Sequence, residues 1–322
     1  MKTNKYVVMG LLAALSMAGC SNDETEVTPV AAADVRISAG LADAETKAVI
    51  NAGYDEKLDV MFGYLEGSGS SFSKWYPGVR MAGAGNQFVS FDETLKYNSY
   101  TSTKTTMAGI YPRPASGGSV SSPIAYKIDG DMDLMATESQ TADKDNPFVP
   151  FMFRHQLTQL QVKCVGSDEA IKAWGNIKSV KVANQAVNLQ LKVVPGVTPS
   201  LSKSNSSTES LSFFNCPSKI VTAKEENPQI GYCMIYPEDN LGTAANALTL
   251  EVMTDYDGTN PDNPRTLNSA KRITVNNISK GARQGYAHLI TLIFTVDGEI
   301  VIEADIAPWT PGSSTSTVIK PS

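Results

Sequence analysis

Three features of the sequence predict an all-β chain. Short runs rich in β-branched and aromatic residues recur from residue 35 to residue 306, bounded by Gly, Pro, Asn and Ser clusters. Helical character is confined to 167–174, a turn or two at most. The tripeptide Ile110-Tyr111-Pro112 returns as Ile235-Tyr236-Pro237, each copy ending a hydrophobic run, as two β-domains in tandem would give. The break between them is expected near 143–150, with an N-terminal domain over 34–148 and a C-terminal one over 149–322.

The chain opens on a basic stretch with Lys2 and Lys5, then an apolar run over 6–19 that ends in Met17-Ala18-Gly19 before Cys20. That is the layout of a secretory leader, residues 1–19, with a small-residue cleavage site. A cysteine at the cut resembles the lipobox of bacterial lipoproteins. In that class the thiol is diacylated, the leader is removed and Cys20 becomes the new N-terminus, carrying diacylglycerol and an N-acyl chain. Two or more acyl chains anchor stably where one would be reversible. The acidic Ser21-Asn22-Asp23-Glu24 resembles the export signals that send such lipoproteins to the outer face of the outer membrane. Residues 20–33 are polar and read as a tether.

The first strand is expected at 35–41, where Val35, Ile37, Ala39 and Leu41 alternate with Arg36, Ser38 and Gly40. A second follows at 57–65 and a third at 88–91, with the Gly/Ser stretch 67–73 as turn material. Residues 107–111 end at Pro112, and 117–123 form another loop. One long strand is expected within 148–165, then shorter ones at 177–182, 186–194, 211–214, 230–236 and 247–253. The final pair, 286–296 and 299–306, flanks Asp297-Gly298, a type I′ hairpin signal.

Removing the leader leaves about 300 residues, enough for two domains. Hydrophobic content of 42% supplies a core, and charged content of only 19% leaves Ser, Thr, Asn and Gly to solvate the surface. A net charge of -6 excludes a basic face for nucleic acid or anionic membrane. No later segment reaches the roughly 18 apolar residues of a membrane span, so the lipid on Cys20 is the expected attachment. Cys164, Cys216 and Cys233 remain, an odd number without metal-site spacing. Cys216 and Cys233 are a candidate disulfide, against the alternative of free buried thiols.

Catalysis finds no support. The two histidines, His155 and His288, fall inside expected strands, and no GxSxG elbow exists for a nucleophile. Asp129-Gly130-Asp131-Met132-Asp133 fails the EF-hand pattern, with Gly second and Gln140 twelfth. The loop 255–263 is explained by good turn formers. No metal and no cofactor beyond the lipid is expected. Trp75 and Tyr76, with Tyr97, Tyr100 and Tyr126, sit in expected loops and offer a sugar-binding platform, against the alternative of interior packing.

Several elements together resemble the fimbrillin family of the Bacteroidales, the lipoprotein-derived subunits of surface pili. They are the lipobox, Val35-Arg36-Ile37-Ser38-Ala39-Gly40 followed by Thr46-Lys47-Ala48, Ile110-Tyr111-Pro112 followed by Asp133-Leu134-Met135-Ala136, Phe153-Arg154-His155-Gln156-Leu157, and Gly285-Tyr286 running to Ala307-Pro308-Trp309. They span nearly the whole chain in the family's order. The resemblance implies two transthyretin-like antiparallel β-sandwich domains, export as a lipoprotein, cleavage by a trypsin-like protease after Arg or Lys, and polymerisation with other fimbrial subunits by strand exchange. It makes Val35, Ile37, Ala39 and Leu41 the strand to be displaced and Lys47 the processing site, with Arg36 as the alternative. Two departures stand out. Lys47 replaces the family's arginine, and residues 313–320 form a poor donor strand, since Val318 and Ile319 point to opposite faces. Both favour a tip, anchor or accessory subunit over a repeating shaft subunit. The competing expectation is a monomeric outer-membrane lipoprotein that binds glycans through Trp75 and Tyr76.

Overall fold

A computed structural model describes residues 32–42, 56–83, 85–114 and 121–308. They carry β1 (Ser38–Leu41), β2 (Leu58–Glu66), β3 (Lys74–Arg80), β4 (Gln87–Phe91) and β5 (Thr105–Tyr111), then the short β6 (Ile124–Lys127), β7 (Met135–Ala136) and β8 (Gln140–Ala142), and β9 (Phe151–His155). The second half holds β10 (Thr158–Gly166), helix α1 (Asp168–Trp174), β11 (Ile177–Ala186), β12 (Asn188–Lys192), β13 (Ser200–Lys203), β14 (Thr208–Ser212), β15 (Gly231–Ile235), β16 (Thr243–Thr254), β17 (Lys271–Asn277), β18 (Ala287–Phe294) and β19 (Ile300–Ala307). The all-β class holds. The helix is the one expected, capped by Ser167, whose side chain accepts from the Ala170 N–H.

The first half closes on itself. Its strands run β2-β3-β4-β1-β9-β7-β5, and β5 pairs back with β2, so seven strands form a ring, with β8 added on β5. This barrel-like closure replaces the two-sheet sandwich expected there, and it leaves no free edge along those strands. Inside the ring, Val35, Ile37, Ala39, Val60, Phe62, Val89, Met107, Phe151 and Phe153 make one core. Phe62 is its centre, edge-on to Phe91 at 5.7 Å, Phe151 at 5.2 Å and Phe153 at 6.0 Å between ring centroids.

The second half is a two-sheet body. One sheet runs β15-β10-β18-β19 and the other β14-β11-β16-β17, with a common core that includes Leu160, Val162, Ile290, Leu292, Val180, Val182, Leu250 and Val252. A third, small sheet, β13-β12-β6, ties β6 of the first half to β12 of the second. That core also takes in Met61, Trp75, Ala108 and Ile110, so the packing continues from the outside of the ring into the body.

Two expectations are corrected. The single long strand within 148–165 is two, because the chain leaves the ring at Gln156, whose N–H donates to Leu134 O, and enters the body at Thr158. β9 completes the ring beside β1 and β7, and β10 begins the body beside β15 and β18. The last hairpin exists, but residues 295–299 form a five-residue loop in place of a two-residue type I′ turn, with Gly298 at φ 82 and Thr295 N donating to Glu299 O.

Candidate functional site

The alternation read in 35–41 becomes the two faces of an extended stretch, of which 38–41 form strand β1, that seals the ring. Val35, Ile37 and Ala39 are 6%, 2% and 0% exposed, and Leu41 packs half-buried on the same core. Arg36 points to solvent. β1 lies parallel to β9, with Ala39, Gly40 and Leu41 beside Phe151, Met152 and Phe153, and antiparallel to β4, with Ser38 and Ala39 beside Phe88 and Gln87. Upstream, Val35 N donates to Leu95 O at 2.8 Å and Tyr97 N to Ala33 O at 2.9 Å; downstream, Ala42 N donates to Phe153 O at 2.7 Å. Removing this strand would uncover a trough floored by Phe62, Val89, Phe151 and Phe153 and walled by the unpaired backbones of β4 and β9.

One polar group reaches into this seat. Arg80, at the end of β3, is 1% exposed, and its Nε donates to Ala39 O at 3.0 Å. The rest of the guanidinium donates to Met81 O, Gly83 O and Gly85 O. Gly83 and Gly85 take positive φ, +120° and +66°, a conformation open to residues without a Cβ. The fixed fork of an arginine serves several acceptors at once, so this side chain binds the 81–85 turn to the backbone of β1. Nothing in the period-two pattern of the sequence signals Arg80; a lone arginine near a Gly-rich turn reads as surface.

The outer side of the seat is mixed, with the Asn86 side-chain oxygen beside Gly40 among apolar groups. Phe88 is 51% exposed, and Met152 is 40% exposed, its Sδ 3.0 Å from where a Cβ on Gly40 would stand. Of the two expected cleavage positions, Arg36 lies between residues whose backbones are hydrogen-bonded, Val35 to Leu95 and Ile37 to Val89, so a protease could not bind that stretch extended while β1 is seated. Lys47 and Cys20 both fall outside the described residues.

The remaining candidates separate. Trp75 and Tyr76 lie in strand β3 and not in a loop. Trp75 is 8% exposed, edge-on to Phe72, and Tyr76 packs half-buried against Tyr64, so the two rings do not form an exposed sugar platform. Tyr97 and Tyr126 are buried, and Tyr100 alone of the named aromatics is largely exposed. The acidic run also disperses. Asp129 caps its own turn, Asp131 accepts from the Tyr232 hydroxyl at 2.5 Å, and Asp133 pairs with His155 at 2.7 Å. Asp257 and Asn260 likewise close their own turns. Among the described residues no three His, Cys, Asp or Glu side chains gather as a metal site would need. Cys164, Cys216 and Cys233 are free, and burial pushes each thiol up. His288 is buried with neither ring nitrogen hydrogen-bonded, and burial followed by the charge of Arg283 lowers its pKa to about 4.

A sequence profile of the family described as fimbrillin-like matches residues 46–309. Among solved structures, that of a candidate cell adhesion protein from Bacteroides uniformis aligns with TM-score 0.56 at 16% identity, covering 86% of this chain and 98% of that one. Candidate cell adhesion proteins from Bacteroides ovatus (TM-score 0.52, 15% identity, 87% and 99% covered) and Parabacteroides distasonis (TM-score 0.50, 10% identity, 87% and 98% covered) align similarly. At such identities the likeness is one of fold. A search of curated proteins gave no match.

Proposed function

The chain belongs to the fimbrillin-like family, and from that premise we propose that it is a structural or accessory subunit, tip or anchor, of a cell-surface fimbrium that serves adhesion and assembles by strand exchange after proteolysis. The observation that carries this reading is the seat of β1: a strand near the N-terminus fills the core of a closed ring and is joined to the rest of it only through residues 43–55, which contain Lys47. A cut after Lys47 leaves the strand held by non-covalent contacts alone. Burying an aliphatic side chain such as Val35, Ile37 or Leu41 contributes roughly 1.5–3 kcal/mol, enough to hold the strand and within reach of a competing strand from another subunit. Main-chain hydrogen bonds would give the newcomer affinity, and the side-chain sites its register.

In this reading the ring, completed by β1, and the two-sheet body are the two halves of one fimbrial subunit. The lipid on Cys20 tethers the subunit to the surface side of the outer membrane until the cut, when lipid and strand leave together. If no cut occurs, the same cysteine makes the subunit a permanent anchor. The role is structural, and the partners are other fimbrial subunits.

The test compares protein starting at Ser21 with protein starting at Val49, refolded alike. Light scattering should find the first monomeric and the second oligomeric. Two monomers would remove the support for assembly through this seat. Mass spectrometry of the N-terminal peptides of the protein taken from cell surfaces should find chains beginning at Ala48 in the fimbriae and at acylated Cys20 in the membrane.

A further inference from the structure

Three turns meet at one end of the ring. Glu66 of β2 lies opposite Thr105 of β5, and Thr105 opposite Ala142 of β8, which places residues 66–73, 98–104 and 143–148 side by side there. The turns are tied to one another. Gly67 N donates to Lys104 O at 2.8 Å, Asn98 Nδ2 donates to the Glu66 carboxylate, and Lys104 Nζ pairs with Asp143. At their base Tyr97 is buried and stacked on Phe148 at 5.8 Å, and its hydroxyl accepts from Phe148 N at 3.2 Å. Turns cross-linked in this way on a closed ring present a surface that needs little ordering when a ligand arrives.

Tyr100 stands on that surface, 65% exposed. Asn98 Oδ1 accepts from its N–H at 2.9 Å, and Thr103 N donates to its carbonyl at 3.1 Å, so the backbone is held in a turn while the ring meets solvent. Within the three turns it is the one large apolar side chain so exposed. Most of the rest of 66–73 and 98–104 is Ser, Thr, Gly and Asn.

That make-up discriminates among ligands. A bilayer or a protein partner calls for several apolar side chains together. Phe88 has such company in Met81, whose N–H donates to Phe88 O, but Tyr100 has none within its turns. A charged ligand calls for an unengaged opposite charge, whereas Asp143 holds Lys104 and Asn98 holds Glu66. A sugar ring calls for one aromatic face against its C–H side and for hydroxyls and amides around its rim. Tyr, Ser, Gly and Asn are also the residues that binding loops use for rigid contact and adaptable hydrogen bonding.

We propose that the Tyr100 end of the ring is a carbohydrate site. The phenol ring stacks on the C–H face of an uncharged pyranose, and the polar side chains of 66–73 and 98–104 bond to its hydroxyls. The proposal rests on the adhesive part of the function above and is independent of strand exchange. It moves the sugar contact from Trp75 and Tyr76, which pack inward, to a loop. One aromatic face holds a single sugar weakly, at about millimolar Kd, and gains by repetition over a surface carrying many copies.

The experiment coats a sensor densely with the chain from Ser21 and applies two probes: desialylated mucin, with galactose and N-acetylhexosamine ends, and yeast mannan. Each is tested before and after periodate, which cleaves vicinal diols and leaves protein intact. At least one untreated probe should bind and lose about tenfold or more on oxidation. Tyr100→Ala should lower binding by about tenfold or more with an unchanged urea midpoint, Tyr100→Phe should stay within about threefold, and Tyr100→Trp should bind at least as well. Phe88→Ala should change nothing. Sugar binding that survives Tyr100→Ala, or falls with Phe88→Ala instead, would overturn the site while glycan adhesion stands. Binding that ignores periodate would make the ligand a protein and overturn the proposal. So would capture of phosphatidylcholine vesicles, but of neither probe, through Tyr100. If neither probe binds, the site falls; adhesion survives if the same chain still holds to epithelial cells, and falls with the site if it does not.

Discussion

In the ring, β1 lies parallel to β9; in the two-sheet body, β10 lies parallel to β18. Each half thus sets its first strand beside a late one, and the two arrangements differ in how the chain enters and leaves them. β10 runs from Gln159 to Gly166 beside Ala287 to Phe294, pairs with β15 on its other side, and continues directly into α1. β1 runs beside β9 only from Ala39 to Leu41 and is followed by residues 43–55. A cut on one side frees β1 from covalent attachment to the ring, whereas β10 is continuous with β9 before it and α1 after it. Similar pairing therefore leaves one half with a strand that a single cut would free from the ring and the other with a fixed frame.

The sharpest way to break this comparison is to put the same charge on each first strand. Ile37→Asp and Val162→Asp each bury an unpaired carboxylate at a site 2% and 0% exposed, at a cost of roughly 3–5 kcal/mol. In the ring the strand can answer by leaving. Hydrogen exchange of Ile37→Asp should lose protection at 32–42, 87–91 and 151–155 while the body keeps its own. Val162→Asp has no such outlet and should lose protection across β10–β19. Global loss in both variants would mean that the core continuing from Trp75 into the body makes one cooperative unit, and the distinction between frame and releasable strand would go.

Much of this contrast was legible in the sequence. The period-two alternation of Val35, Ile37, Ala39 and Leu41 gave the strand and its inward face, because alternation records which side chains meet the core. The helix at 167–174 was legible as the one short stretch of helical character in the chain. What could not be read was closure. Pairing between β1 and β9 joins residues more than a hundred positions apart, and no local pattern encodes it. Trp75 and Tyr76 misled for a related reason: Pro77 and Gly78 beside them read as loop, while the β2 and β4 neighbours that make 74–80 a strand lie elsewhere in the chain. Arg80 was hidden because a buried guanidinium is recognisable only from the carbonyls around it.

An intermediate effect is expected where the two halves join. Gly285 N donates to Leu157 O and Gln159 N to Tyr286 O, holding the start of β18 to the crossover from the ring. His288 sits there, stacked at 6.4 Å on Tyr286, whose ring carries Arg283 at 4.1 Å on the guanidinium carbon. Burial, and then the charge of Arg283, lowers the folded pKa of His288 to about 4 from the usual 6.5. Between those values the unfolded chain holds a proton that the folded chain does not. Stability should fall as pH falls from 6.5 towards 4, by roughly 2–3 kcal/mol, and this contribution should then level off once both states are protonated. Asp143, held low first by its hydrogen bond to Lys104, acts in a separate window, below the usual carboxylate pKa of 3.8. Urea titrations across pH should give His288→Leu a visibly flatter dependence above pH 4. An unchanged slope would assign the acid sensitivity to another group.

The smallest predicted effect tests whether the frame is as independent of the ring as its connectivity implies. α1 fixes the far end of β10, and Ser167 caps it by accepting from Ala170 N at 3.2 Å, with Asp168 and Glu169 in the first turn. The cap lowers the pKa of Glu169 only as a second cause, after that residue's own backbone N–H. Ser167→Ala should cost about 1 kcal/mol of stability in denaturant titration. In protein cut after Lys47 it should leave the release rate of residues 32–42 unchanged, because no hydrogen bond of the cap reaches the seat of β1. A faster release would mean that strain at the end of β10 travels through the shared packing of Met61, Trp75 and Ile110 to the ring, so that filling the seat in one half would also tighten the other.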